Sequence, residues 1–149
     1  MLFRSVSPTR FPSPRRMATG VDYNRVSLIM AVLEKRAGLF LQDHDAFVKV
    51  AGGVRLDEPA VDLGLAVSLA SGFKNRPVGN KDIFIGEVGL TGEIRAVNRI
   101  AERVREGQRL GFNRFFVPPS AKKSLNNICG EEIISVKTLM ETLELSLGE

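Results

Sequence analysis

Asp62 stands between Val61 and Leu63 inside an apolar run, EPAVDLGLAVSLASG, from Glu58 to Gly72. A carboxylate in that setting can act as an acid or base, pair with a cation, or cap and pack a helix. Other residues able to do chemistry are few. His44 is the single histidine, so a serine–histidine–aspartate triad has only that residue to use. It lies in LQDHDAF, a polar segment expected to be a loop with a solvated imidazole. Cys129 is the single cysteine, which excludes a disulfide within the chain and argues against a four-ligand zinc site. Glu87 and Glu93 flank Thr91-Gly92 and form either a paired-carboxylate site or hairpin surface charge; the second is the expectation, since carboxylates are mostly exposed.

Phosphate-cradling loops are missing from the sequence. No Gly-x-x-x-x-Gly-Lys-Ser/Thr occurs. Gly86, Gly89 and Gly92 in GEVGLTGEIR have the wrong spacing for a dinucleotide fingerprint, and they lie between strands rather than between a strand and a helix. Positive charge is more informative. The net charge is +4, and it is unevenly placed. Residues 1–25 carry Arg4, Arg10, Arg15, Arg16 and Arg25 against Asp22 alone. Residues 95–114 carry Arg95, Arg99, Arg103, Arg105, Arg109 and Arg114 against Glu102 and Glu106. Neither stretch contains lysine, and the planar guanidinium suits phosphate contact.

The elements that would position these groups follow from periodicity. Residues 1–20 read as extended and proline-rich, with a strand at the start. VDYNRVSLIMAVLEKRAG predicts a helix capped by Asp22, stopped by Gly38 and buried along Val26, Ile29, Met30 and Leu33. AFVKVAGGV predicts a strand ending at Gly52-Gly53 in a close backbone approach or a bulge. A second helix is expected from Glu58 to Ser71, capped by Asp57 with Pro59 in its first turn, which places Asp62 in the second turn. DIFIGEVGL predicts one buried strand and GEIRAV its hairpin partner. A helix is expected from Asn98 to Arg109, a strand at RFFVPP, a turn near 120–126, a strand at 132–136 and a last helix at 137–147. Helices alternate with strands, which predicts an α/β (α+β) domain, a mixed sheet with packed helices. No apolar run approaches the roughly 18 residues of a membrane span.

Several long stretches resemble a known family. SPTRFPSPRRMATGVDYNRVSLIMAVLEKRAGL, VKVAGGVRLDEPAVDLGLAVSLASG and FIGEVGLTGEIRAVNRIAERVREGQRLGF, with RPV and FVPPSAKK, are similar to the C-terminal Lon-like domain of the bacterial RadA/Sms family of DNA-repair ATPases. The resemblance covers residues 7–123. It implies residues 1–20 as an Arg/Pro-rich lead-in strand or strap and 21–149 as a domain with the fold of the Lon proteolytic domain. It also makes SPTRFPSPRRMATG an internal family segment rather than an organelle transit peptide, whose Arg/Ser-rich composition it shares.

In Lon-type proteases a serine opens the helix equivalent to the second one here, and a lysine on a later helix is its base. The resemblance places those positions at Ala60 and Ala101, so no catalytic dyad is expected. Ser71 falls on the same helical face as Ala60 but roughly 16 Å along the axis, and Lys74 lies past Gly72. The implied role is non-proteolytic: ring assembly, expected as a homo-hexamer, and contact with single-stranded or branched DNA in recombination and repair, in the bacterial cytoplasm. ATP with magnesium, and zinc, are expected to belong to family parts outside these residues. An active serine peptidase domain and a stand-alone interaction domain are the alternatives.

The candidate DNA contacts are Arg15, Arg16, Arg25, Arg99, Arg103, Arg105 and Arg109. On the predicted third helix Ile100, Val104 and Gly107 share one face, with the arginines mostly opposite and Arg103 flanking. Glu102 can pair with Arg99 or Arg105, and Glu106 with Arg103 or Arg109, so that face is either a DNA surface or a salt-laced solvent surface. PSPRRMATG has no acid nearby in sequence and is either a DNA loop or a strap at a subunit interface.

Overall fold

The structure is a computed structural model and describes residues 2–128 and 132–148, with no side-chain account of residues 2–4. Cys129 and Met1 lie outside the described residues. The chain is α/β; among the described residues it has four α-helices and strands distributed over three small sheets.

The first sheet has β1 (Leu2–Pro8) and β2 (Arg16–Thr19) on either side of β3 (His44–Val50). β1 runs antiparallel and β2 parallel to β3. Period-two alternation makes the sheet one-sided: Ala46, Val48 and Val50 are buried, while Lys49 is exposed. The buried side meets α1 (Tyr23–Ala37), which follows the sequence reading closely. Asp22 accepts the backbone N–H of Arg25 at 2.9 Å, and Gly38 ends the helix in the left-handed conformation at φ 66. Gly52 and Gly53, at φ 79 and 70, carry a tight turn after β3 rather than the expected close approach; a Cβ at either meets nothing within 4 Å.

The second helix is shifted from expectation. Pro59–Val61 form a 3-10 turn, and α2 runs Asp62–Lys74. Asp57 does not cap it: its carboxylate takes the Nε–H of Arg55 at 2.9 Å. Asp62 therefore opens α2 instead of lying in a second turn. Leu63, Leu65, Ala66, Val67, Leu69 and Ala70 are all buried, because α2 packs against α1, β1 and α4 (Leu139–Leu147) at once.

The stretch expected to be one strand splits in two. β4 (Asp82–Phe84) joins an all-parallel sheet of order β4-β7-β8, with β7 Arg114–Val117 and β8 Glu132–Ser135. β5 (Glu87–Val88) instead forms a hairpin with β6 (Ile94–Arg95). The break lies at Gly86, whose N–H donates to the Ala60 carbonyl at 3.1 Å and whose carbonyl accepts from Leu63 at 3.0 Å. Those bonds draw the chain away from β7 toward the start of α2. A Cβ at Gly86 would lie 2.7 Å from the Ile94 side chain, so the approach needs glycine.

α3 (Ile100–Arg109) covers a second apolar cluster that includes Ala60, Ile85, Val104, Phe115 and Val117. Gly107 packs directly on it: a Cβ there would stand 2.6 Å from the Phe115 ring and 2.8 Å from Ile83. Gly107→Ala is expected to lower stability by about 1–3 kcal/mol through overpacking, although alanine favours helices by about 1 kcal/mol. Urea denaturation of the two proteins measures this difference. Among the described residues no helix is long and apolar enough to cross a membrane.

Candidate nucleic-acid interface

Asp62 is 5% exposed, and its chemistry is that of a structural anion. Its Oδ1 accepts from the Arg25 guanidinium at 2.5 Å, and Oδ2 accepts from the Val88 N–H at 3.3 Å. It thereby ties α1 and β5 to the first residue of α2, where the helix dipole favours a negative charge. Burial pushes the Asp62 carboxyl above its ordinary value of 3.8, and the Arg25 hydrogen bond opposes that push. The surrounding pocket, about 620 Å³, is lined among the described residues by neither serine nor lysine.

The two positions assigned to a Lon-type dyad hold alanines in one apolar cluster. Ala60 is buried and Ala101 packs against its margin. Neither supplies a nucleophile or a proton acceptor. Ala60 also lines an apolar groove of about 780 Å³ with Val61, Val67, Phe84 and Leu110. Ser68 and Ser71 lie along the same groove, and Ser71 Oγ donates to the carbonyl of Arg76 beyond the end of α2. His44 departs from expectation: it begins β3, is half-buried, and its ring sits 4.8 Å from that of Phe73. Its Nδ1 is buried with no hydrogen-bond partner among the described residues. Among the described residues no group of three His, Cys, Asp or Glu side chains could hold a metal ion.

Glu87 and Glu93 belong to the hairpin surface. Glu93 accepts from the backbone N–H and hydroxyl of Thr91 and from the Arg95 guanidinium, clasping the turn. The Thr91 hydroxyl and the other donors lower its pKa from 4.5 to about 2. A carboxyl depressed on folding gives stability that is fully present above 4.5 and is lost as pH falls toward about 2. Glu93→Gln is therefore expected to flatten the acid limb of the stability profile within that window, read by denaturation at a series of pH values.

The candidate arginines fall into three groups. Arg99, just before α3, pairs with Glu102, and on the helix Arg109 pairs with Glu106 at 3.4 Å. Arg103 does not turn to Glu106. It forms a two-pronged pair with Glu58 at 2.7 Å for both bonds, fastening α3 to the segment before α2. The Arg103 hydrogen bond lowers the Glu58 carboxyl, and the Arg99 hydrogen bond lowers that of Glu102. Arg105 is exposed between them. A shallow pocket of about 620 Å³ on this face is lined by four arginines and three glutamates, an excess of one positive charge.

Arg25 forms the second group, turned inward to Asp62. Arg15 and Arg16 form the third. Arg15 meets an acid distant in sequence: Asp45 accepts from its backbone N–H at 2.7 Å, its Nη2 at 2.9 Å and its Nε at 3.3 Å. The backbone donor, then the side chain, holds the Asp45 carboxyl below its ordinary range. Arg16 lies in β2, and its guanidinium reaches the Leu41 carbonyl at 3.4 Å. The rings of Phe11 and Phe47, 4.3 Å and 5.6 Å from the Arg15 guanidinium carbon, had no signature in sequence, because these contacts depend on the tertiary fold.

Comparison with known proteins places these features in context. The family profile described as "Subunit ChlI of Mg-chelatase" matches residues 23–121. A Bacillus subtilis protein named DNA repair protein RadA is 56% identical over 143 residues, covering 96% of this chain and 31% of the relative. Proteins of the same name from Listeria monocytogenes and Streptococcus pneumoniae are 55% and 51% identical, covering 97% and 93% of the chain. The chain thus spans about a third of the length of these curated relatives, between 31% and 33%.

Proposed function

Because the chain belongs to the family described as subunit ChlI of Mg-chelatase, in the form carried by bacterial RadA proteins, we propose that it is the non-proteolytic Lon-like domain of a RadA-type DNA repair protein. Residues 1–20 serve as its lead-in strand or strap and 21–149 as the Lon-like domain. It contacts DNA during recombination and repair and contributes to a ring-shaped homo-oligomer, a hexamer, in the bacterial cytoplasm. ATP turnover belongs to other parts of the whole protein. The observation that carries this reading is the identity of 56% spread over 96% of the chain, which leaves little of it for a different role.

The alanines at positions 60 and 101 support the non-proteolytic part. A buried apolar cluster where a hydroxyl and an amine are needed cannot generate an acyl-enzyme. Casein or peptide hydrolysis by the purified chain, abolished by changing Ser71 or Lys74, would overturn it; no hydrolysis is the expected result.

For DNA, the arginines best placed for phosphate are the exposed Arg105, with Arg99 and Arg109 beside it, and Arg16 on β2. Their ion pairs are solvent-exposed and weak, so phosphate can displace the glutamates at small cost. Arg103 and Arg25 hold elements together and are poorer candidates. The test is fluorescence anisotropy of labelled single-stranded DNA with Arg105→Ala/Arg109→Ala. A several-fold weakening is expected, and unchanged affinity would remove α3 from the interface.

A further inference from the structure

The parallel sheet β4-β7-β8 is flanked by helices, and one of its edges opens into the apolar groove. Phe84 of β4 packs with the cluster that holds α2 and stacks 4.6 Å from Phe116. Ile83 and Phe115 pack with the cluster that holds α3. The two helices therefore lie on opposite faces of the sheet. β4 is an outer strand: β7 pairs with one side of it, and no strand of the described residues pairs with the other. The Ile85 N–H donates to the Phe116 carbonyl at 2.9 Å, so ladder alternation turns the N–H and C=O of Phe84 away from β7. Among the described residues neither group has a hydrogen-bond partner. The groove of about 780 Å³ runs along this edge, with Gly64 and Ser68 of α2 on one wall and Gly107 and Leu110 of the α3 end on the other.

The charges in the lining are already matched within the chain. Glu58 holds Arg103, Asp82 holds Arg114 at 3.2 Å, and Glu106 holds Arg109 at 3.4 Å. A phosphate chain or an ionised partner finds no uncompensated charge here, so charge complementarity selects a neutral occupant. The unmatched groups are one backbone donor beside one backbone acceptor. A buried donor and acceptor each need a partner. An extended peptide offers both at the right spacing, and a lipid chain does not.

We infer that this groove takes an extended, uncharged, apolar segment of a partner protein, which adds to β4 as the next strand of the sheet. In the antiparallel sense one residue of the segment exchanges both hydrogen bonds with Phe84. Its neighbours alternate between the α2 wall and the α3 wall, so both sets of side chains meet apolar surface. The inference goes beyond the DNA reading and does not depend on it. A second copy of the chain cannot offer its own β4 edge, because that strand is recessed between the same two helices.

The test measures binding of fluorescent, terminally blocked peptides of ~7 residues to the purified chain, from an array whose central positions sample alanine, serine, valine, leucine and phenylalanine. Binding by members with apolar central residues is expected, unchanged between ~50 and ~200 mM salt. Methylating the central backbone nitrogen of the best peptide removes the donor to the Phe84 carbonyl and should weaken binding about tenfold. Gly64→Leu, which fills the groove, should weaken it at least as much. A Cβ at Gly64 would lie 3.6 Å from the Phe84 carbonyl oxygen, an ordinary contact, and leucine suits a helix better than glycine, so the fold should persist; thermal melts check this. Leu110→Ser, at a position 68% exposed, should weaken binding severalfold without disturbing the core. If no peptide binds the unaltered chain more tightly than it binds Gly64→Leu, the inference is overturned. Binding indifferent to backbone methylation also overturns it, since the occupant would then be an apolar ligand and not a strand. Self-association that Gly64→Leu abolishes would give the groove to a second copy and overturn it as well.

Discussion

Arg25→Ala is expected to destabilise the folded chain by about 3–5 kcal/mol at neutral pH, the cost of stranding one member of a buried ion pair. The pair has little access to water: the side chains of Arg25 and Asp62 are 24% and 8% exposed. With arginine removed, the Asp62 carboxylate keeps one backbone donor, Val88, and loses its counter-charge. The pH dependence has a definite sign. Burial already raises the folded-state pKa of Asp62 above 3.8, so the folded chain holds that proton more tightly than the unfolded one. Stability contributed by Asp62 therefore grows as pH falls through the raised value toward 3.8, and its cost is fully present above that window. Loss of Arg25 widens the window upward. The deficit of Arg25→Ala should shrink as pH falls below neutral, and adding Asp62→Asn should restore part of the loss at neutral pH. Urea titrations of the single and double variants measure both effects. A deficit independent of pH, with no gain from Asp62→Asn, would show that the carboxylate is solvated.

Asp62 also illustrates how much was legible beforehand. Its helix was readable from the apolar run, and pairing with a cation was among the roles its residue type allowed. Its partner was not readable, because Arg25 lies on α1, 37 residues earlier. The same limit explains Arg15. Local sequence offered it no acid, yet the β2–β3 register brings Asp45 against it from 30 residues away. Arg103 likewise had one glutamate at helical spacing, Glu106, and took Glu58, 45 residues distant. The helices α1, α3 and α4 were legible because capping and 3.6-residue periodicity are local. The split of β4 from β5 was not, because the bonds of Gly86 to Ala60 and Leu63 are tertiary. His44 was misjudged for a related reason: polar neighbours suggested a loop, but pairing with β1 extends β3 back to it.

The candidate interface was legible only as composition. Two arginine-rich stretches pointed to anions, and the structure sorts them by partner: a buried anchor at Arg25, a clamp at Arg103 and exposed guanidinium groups at Arg99, Arg105 and Arg109. That sorting sets the second large expectation. If about three exposed cations meet phosphates, each displaces counterions, and affinity for single-stranded or branched DNA falls steeply with salt. Exposed pairs such as Arg99–Glu102 contribute little to stability, so their exchange for phosphate leaves the fold intact.

Salt titration of DNA binding by the purified chain is the most direct test of the central claim. For about three phosphate contacts, affinity should fall between ~50 and ~200 mM monovalent salt by about 20-fold for single-stranded DNA and about 40-fold for duplex arms, with a linear plot of log affinity against log salt. Affinity that is flat across that range, or no binding even at the lowest salt, would contradict DNA contact by this domain.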